Sequence, residues 1–226
     1  MRRFWGYYDN GTYRVGCNGA TVYVYDQNNR ELAKFKDIPY AYAGAFQPGT
    51  NVFVVKSTEG FLAVYDLDKL ELLRKSKPNR EGGDEGFSFT PDGNWLYNIE
   101  HPFTSLRTQL TKYSTSDYSV PRVLFADAEQ MFLEALEFDE TTGIGYVLGY
   151  MRNADGIMDY GFIGKLEDDN IYGIKRLSRD EEIYLRRHKS WERSGFTEKK
   201  LEWTHLPPNP DKTPISLKEI YKKASV

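Results

Sequence analysis

The chain has one cysteine and three histidines in 226 residues, and no stretch of it is long and apolar. A single cysteine, Cys17, excludes an intramolecular disulfide and any cysteine-rich metal knuckle. It sits among glycines in "YRVGCNGATVYVY", and no nearby cation or helix start would lower its pKa. A small buried hydrophobe is therefore the expected role, rather than a reactive thiol. The histidines, His101, His188 and His205, stand in unrelated contexts without short ligand spacing, so no zinc site is predicted. No segment approaches the roughly 20 apolar residues that a membrane-crossing helix needs. The beginning, "MRRFWGYYDNG", places tyrosines, Asp9 and glycines where a signal peptide would carry its apolar core. The default expectation is a cytoplasmic location with no membrane partner. An excess of one charge is also missing: 30 Lys and Arg oppose 33 Asp and Glu, a formal net of -3. That balance gives no global attraction to nucleic acid or anionic lipid.

Aromatic residues are plentiful, at 15% of the chain, with 17 Tyr and 13 Phe. Rings in a chain without long apolar runs favour sheet over helix, because they pack well on a pleated, half-buried surface. The rings recur in phase. In "VYVYDQNNRELAKFK" (22–36) and "LAVYDLDKLELLRKSK" (62–77), Val24, Tyr25, Asp26, Glu31 and Leu32 return as Val64, Tyr65, Asp66, Glu71 and Leu72. Weaker copies place Tyr113 and Ser114, then Leu166 and Glu167, in the Tyr-Asp positions. Ahead of each copy lies another hairpin. "AGAFQPGTNVFVV", "GFSFTPDGNWLYNI" and "ALEFDETTGIGYVL" share small residues, a phenylalanine (Phe46, Phe89, Phe138), a turn and an apolar strand. Pro presets φ in these turns and Gly or Asn accepts positive φ, so each predicts a tight reversal. "DNG" after Tyr8 fits the same slot. The unit is four strands in about 40 to 50 residues, the period of propeller blades.

The strand pair followed by "[VL]-x-V-Y-D" resembles the β-propeller superfamily of WD40-like and YVTN-like repeats, over roughly residues 4 to 178. No Trp-Asp or Gly-His pair marks any copy, so the subfamily is not identified. The fold class predicted is all-β, a propeller of four to five four-stranded blades with a C-terminal helical segment. It is read as one domain over 1–226, with clear repeats to 178 and a degenerate blade or helical cap over 179–226. Ser178 and Glu181 have capping-box spacing ahead of one helix, and Ser216 and Glu219 ahead of a second. Leu217, Ile220, Tyr221 and Ala224 give the second helix an apolar stripe, and Ile215 could staple it.

The resemblance also implies a binding side, formed by loops leading into the innermost strands and loops between the middle strands. On this sequence that side collects Tyr40, Tyr42, Asp84, Glu85, Glu100, His101, Phe103, Tyr150, Met151, Arg152 and Met158. The segments 100–107 and 150–161 read as loops longer than hairpins need, and surplus loop is where function concentrates. Rings, Met and Arg beside a few charges suit protein recognition. The expectation is a non-enzymatic recognition or scaffold module for a protein or peptide, without cofactor or metal. The alternative is a carbohydrate-active hydrolase or lyase whose acid and base come from Glu81, Asp84, Glu85, Glu100 or Glu134; it requires Glu85 and Glu100 about 5 to 10 Å apart in an open cleft. "EGGDEG" lacks the Gly-Lys-Ser/Thr ending of a phosphate loop, and "DETTG" and "LEDDN" fall short of a calcium loop. A basic strip over 186–200, with Trp191 and Phe196 interleaved, is better read as a solvated face than as a nucleic-acid contact.

Overall fold

Every repeat becomes a four-stranded antiparallel sheet whose strands pair in chain order. The computed structural model describes residues 4–76, 86–100, 108–119, 122–126, 128, 130–179 and 216–224. The first sheet holds β1 (Gly6–Asp9), β2 (Arg14–Cys17), β3 (Val22–Tyr25) and β4 (Glu31–Phe35), and the second β5 (Ala41–Phe46), β6 (Val52–Ser57), β7 (Leu62–Asp66) and β8 (Glu71–Ser76). The third holds β9 (Phe87–Phe89), β10 (Trp95–Glu100), β11 (Gln109–Ser114) and β12 (Arg122–Leu124). The fourth holds β13 (Met131–Phe138), β14 (Gly145–Arg152), β15 (Met158–Glu167) and β16 (Asn170–Arg176). Two compact units contain them, the first two sheets within Met1–Asp84 and the last two within Glu85–Ser190.

The predicted phase holds. Phe46, Phe89 and Phe138 each end the first strand of a sheet, opposite Phe53, Leu96 and Gly145. Tyr25, Tyr65, Tyr113 and Leu166 are all buried. The turns work as their composition dictates. Asp26 accepts from the amides of Asn28 and Arg30, and Asp66 from those of Asp68 and Lys69. In "TPDGN", Gly93 takes φ 71° while the Asp92 carboxylate receives the Asn94 amide.

Each unit closes a core between its two sheets. In the first, Val15, Cys17, Val22 and Val24 face Phe53, Val55, Ala63 and Tyr65. Cys17 is fully buried, and burial pushes its thiol far above the ordinary value, as befits a core atom. In the second unit, Tyr97, Ile99 and Leu110 face Leu133, Val147, Phe162 and Leu166.

The fourth sheet's other face carries a helix, α1 (Leu217–Lys223), which belongs to the same unit. Leu217, Ile220 and Ala224 are buried there against Ala135, Tyr146, Leu148 and Ile163, with Tyr221 packed beside them. The Ser216 hydroxyl accepts the Glu219 amide at 3.2 Å, which is half of the predicted capping box. The reciprocal half does not form, because the Glu219 carboxylate pairs with Lys222 at 2.8 Å. Glu137 instead accepts the Leu217 amide at 3.2 Å, so the fourth sheet itself supplies part of the cap. Ile215 and the helix expected after Ser178 lie outside the described residues, apart from Ser178 and Arg179.

One expectation is corrected. The segment 150–161 is not a long loop. β14 runs on to Arg152 and β15 starts at Met158, so the surplus residues extend a hairpin arm closed by a turn at Asn153–Gly156. The alternation "YMR…MDYG" continues the ladder, and Asn153 closes the turn by accepting the amides of Asp155 and Ile157.

Candidate recognition surface

Two turns of the first unit meet side by side. The β2–β3 turn, "CNGA", is closed by the Asn18 carboxamide, which accepts the amides of Ala20 and Thr21. Gly19 adopts φ 87° and exchanges both backbone hydrogen bonds with Ala41, tying this turn to the start of β5. A side chain on Gly19 would come within 2.7 Å of the Tyr42 ring, so glycine is what lets Tyr42 lie over the turn. The β4–β5 connection, "DIPYAY", holds Tyr40 at φ 50°, with its carbonyl accepting the Thr58 amide. A left-handed tyrosine is uncommon and is kept only where its surroundings fix it.

Between these turns lies a cleft of about 600 Å³, lined by residues 18–20 and by Lys36, Ile38, Pro39, Tyr40 and Tyr42. Tyr40 is 49% exposed, and Trp5, at 56%, stands beside Tyr42. Trp5 meets Tyr42 edge-on, with centroids 5.7 Å apart and planes at 72°. Tyr40 and Tyr42 lie 6.2 Å apart at 55°. Among the described residues, Lys36 is the one charged side chain in the lining. Thus Tyr40 and Tyr42, two of the expected residues, lie side by side. Trp5 and Lys36 join them unpredicted, although an isolated Trp in "FWGYY" beside a loop-facing strand end was the available signal.

The remaining predicted residues fare differently. Asp84, Glu85, His101 and Phe103, like Glu81 and the 186–200 strip, lie outside the described residues. Tyr150 is buried, and Met151 and Arg152 are half-buried on β14, with the Arg152 guanidinium 4.8 Å from the Phe132 ring centre. Met158 is half-exposed beside the more exposed Ile157, at the tip of the hairpin arm.

Glu100 is only 1% exposed. Its carboxylate receives Asn98 Nδ2 at 2.8 Å, Gln109 Nε2 at 3.1 Å and the Tyr113 hydroxyl at 3.2 Å. It faces no open cleft, and the acid–base pairing that needed it there is overturned. The physical reason is strand alternation. Asn98, Glu100, Gln109 and Thr111 occupy one side of the β10–β11 ladder, opposite the side that packs on the fourth sheet. All four are buried, and the Asn98 carbonyl oxygen has no hydrogen-bond partner among the described residues. Polar residues at alternate positions in "NIE" and "TQLT" were the overlooked signal.

A second polar knot was also unpredicted. The β15–β16 turn takes positive φ at Asp168 and Asp169. Asp169 receives the Tyr97 hydroxyl at 2.7 Å, Lys112 at 2.9 Å and Arg122 at 2.8 Å. Burial pushes its carboxyl up, but the bonds from Lys112 and Tyr97 and the charges of Lys112 and Arg122 outweigh that and leave it below the ordinary value.

Among solved structures, the WD40 domain of Pan2 from Neurospora crassa is similar to this chain, with a TM-score of 0.54 over 76% of its length. Four sheets of four antiparallel strands in chain order, with that likeness, decide the architecture. The chain has the β-propeller fold. The two sequences are 10% identical and the chain spans 52% of that domain, so the likeness speaks for the fold alone. No family model matches the chain, and no curated protein matches it in sequence. Each sheet is therefore a blade, and the cleft lies where the first blade's β2–β3 turn meets the connection into the second.

Proposed function

We propose that this propeller is a recognition module whose partner is a protein or peptide bound at the cleft between the β2–β3 and β4–β5 turns. One observation carries the reading. Trp5, Tyr40 and Tyr42 form a contiguous, solvent-facing aromatic group whose backbone is tied down by the Trp5–Cys17, Gly19–Ala41 and Thr58–Tyr40 hydrogen bonds. Large rings on a rigid support give contact area at low entropic cost, and such anchors dominate protein interfaces. A WD40 domain as structural neighbour agrees with a binding scaffold. Burial of Glu100 takes away one of the carboxylates that hydrolysis would need.

The test is quantitative capture of a binding partner by the wild-type chain, Tyr40→Ala/Tyr42→Ala and Leu73→Ser. Leu73 is an exposed residue on β8 and serves as control. Loss of the partner by the tyrosine variant but not by the Leu73 variant is expected. Equal recovery by all three would refute the cleft as the binding site.

A further inference from the structure

We infer that the cleft takes a proline-rich segment in polyproline II conformation with acidic residues beside the prolines, an inference that rests on the recognition reading above.

The first ground is the hydrogen-bonding character of the walls. Part of the backbone here is already committed to the fold. Gly19 and Ala41 bond each other twice, the Trp5 amide donates to Cys17, and the Tyr40 carbonyl receives Thr58. The Asn18 side-chain oxygen is used up by its own turn, which leaves its NH2 as a donor. A peptide strand needs a run of alternating donors and acceptors from a sheet edge, and here the start of β5 is bulged at Tyr42 and bridged to Gly19. The side chains add donors of their own. The Tyr40 and Tyr42 hydroxyls, the Trp5 indole N–H and the Lys36 ammonium have no partner among the described residues. A ligand suited to such walls presents acceptors and lacks backbone donors of its own. A proline run does so: it has carbonyls without N–H groups, and its extended helix makes no internal hydrogen bonds.

Shape is the second ground. Trp5 and Tyr40 meet Tyr42 with their planes inclined at 72° and 55°, so the three rings present ring carbon in steps rather than as one flat sheet. Rigid pyrrolidine rings pack against such an aromatic surface and lose little entropy on binding, because φ is fixed beforehand. The walls are equally fixed, with Tyr42 seated on Gly19 and Tyr40 held by its carbonyl bond.

Charge is the third. Three rings at mutual angles also suit a cationic ligand, yet among the described residues the lining contains no carboxylate and its single charge is Lys36. The same ammonium that repels a cation attracts Asp or Glu next to the prolines.

The experiment is calorimetric titration of the full chain with three synthetic peptides: prolines flanked by glutamates, the same peptide with prolines replaced by alanines, and the proline peptide flanked by lysines. The first is expected to bind at least about tenfold tighter than either other. Tyr42→Phe should weaken it by removing one donor while keeping the ring, Tyr42→Ala should lose it, and Lys36→Glu should reverse the preference between glutamate and lysine flanks. Equal binding of proline and alanine peptides overturns the inference. So does no binding of any peptide, or a preference that survives Lys36→Glu. If these fail while Tyr40→Ala/Tyr42→Ala still loses its captured partner, the recognition site stands with a different ligand. If that capture is also unaffected, both readings fall.

Discussion

The two units join their blades with the same device built from different materials. In each, a carboxylate on the turn before a blade's last strand reaches a tyrosine of the preceding blade. In the first unit Asp68 receives the Tyr13 hydroxyl at 3.0 Å and Asn51 at 3.0 Å, and Asn51 receives Asn10 at 3.0 Å. All of it is neutral on the partner side, and both bonds to Asp68 lie at the surface. In the second unit Asp169 meets two cations as well as Tyr97, and Asp169 and Lys112 retain only 11% and 15% side-chain exposure. Burial decides what such a contact is worth. Exposed pairs contribute about 0 to 1 kcal/mol, whereas breaking a buried pair costs about 3–5 kcal/mol because one charge is left behind. The first unit can afford a weak latch because its interface is a dense apolar core. The second adds buried charge to an apolar interface of its own, and its third blade carries the buried Asn98–Glu100–Gln109 network on the opposite face.

Removing the network's hub should give the largest effect. Glu100→Ala strips the acceptor from Asn98, Gln109 and Tyr113 at once and opens a cavity in the third blade. The expected loss is about 3–5 kcal/mol by chemical denaturation. The equivalent place in the second blade's ladder is Ser57, which opens a turn. If Glu100→Ala costs no more than a surface substitution, the network does not hold the third blade and the contrast between units is wrong.

Next comes the latch itself. Asp169→Ala leaves Lys112 largely buried without its partner, although the nearby Trp95 ring, 4.3 Å from the ammonium, softens the loss. A destabilisation of about 2–3 kcal/mol is expected, with amide-exchange protection falling first in β11 and β16. The pH response sharpens the contrast. The Asp169 carboxyl lies below its ordinary value near 3.8 in the folded state, so its contribution is complete above that value. It drains away as pH falls through the lower folded value. Acidification below about pH 4 should therefore loosen the β11–β16 contact, and Asp169→Asn should flatten that response.

The helix offers a smaller perturbation. Hydrogen bonds from Lys218 and Thr142 hold the Asp139 carboxyl down at about 2, so this tether persists in acid where an ordinary aspartate would have released it. Ser216→Ala removes the cap and should cost about 1 kcal/mol, read as faster exchange of the Glu219 amide. Protection of Tyr146 and Ile163 should change little, since Leu217 and Ile220 still cover them.

How much of this was legible follows from which interactions are local. Turns and strand phase were, because Pro, Gly, Asn and Asp act on their own backbone and Tyr25 and Tyr65 repeat in step. The cap at Ser216 was half legible; its second acceptor, Glu137, is 80 residues away. Tyr40 and Tyr42 were legible as loop residues; the Trp in "FWGYY" hinted at an exposed ring, but nothing local says that the start of β1 lies against β5. Asp169 looked like one more turn acid in "LEDDN". Its three partners come from β10, β11 and β12, and only the folded register brings them to it. The 150–161 arm was misread because chain length between motifs does not distinguish a loop from two longer strands.

The smallest expected effect closes the comparison from the other side. Asp68→Ala deletes the first unit's latch, yet Tyr13 and Asn51 remain at the surface, where water replaces the lost acceptor. A change under about 0.5 kcal/mol is expected. Phe53 beneath it, fully buried against Tyr8 and Phe46, goes on holding the two blades together. A double-mutant cycle of Asp68→Ala with Tyr13→Phe should give a coupling near zero, whereas Asp169→Ala with Lys112→Met should couple strongly. Were the Asp68 pair to couple as strongly as the Asp169 pair, burial would not be what separates the two latches, and the apolar core of the first unit would be contributing less than its packing implies.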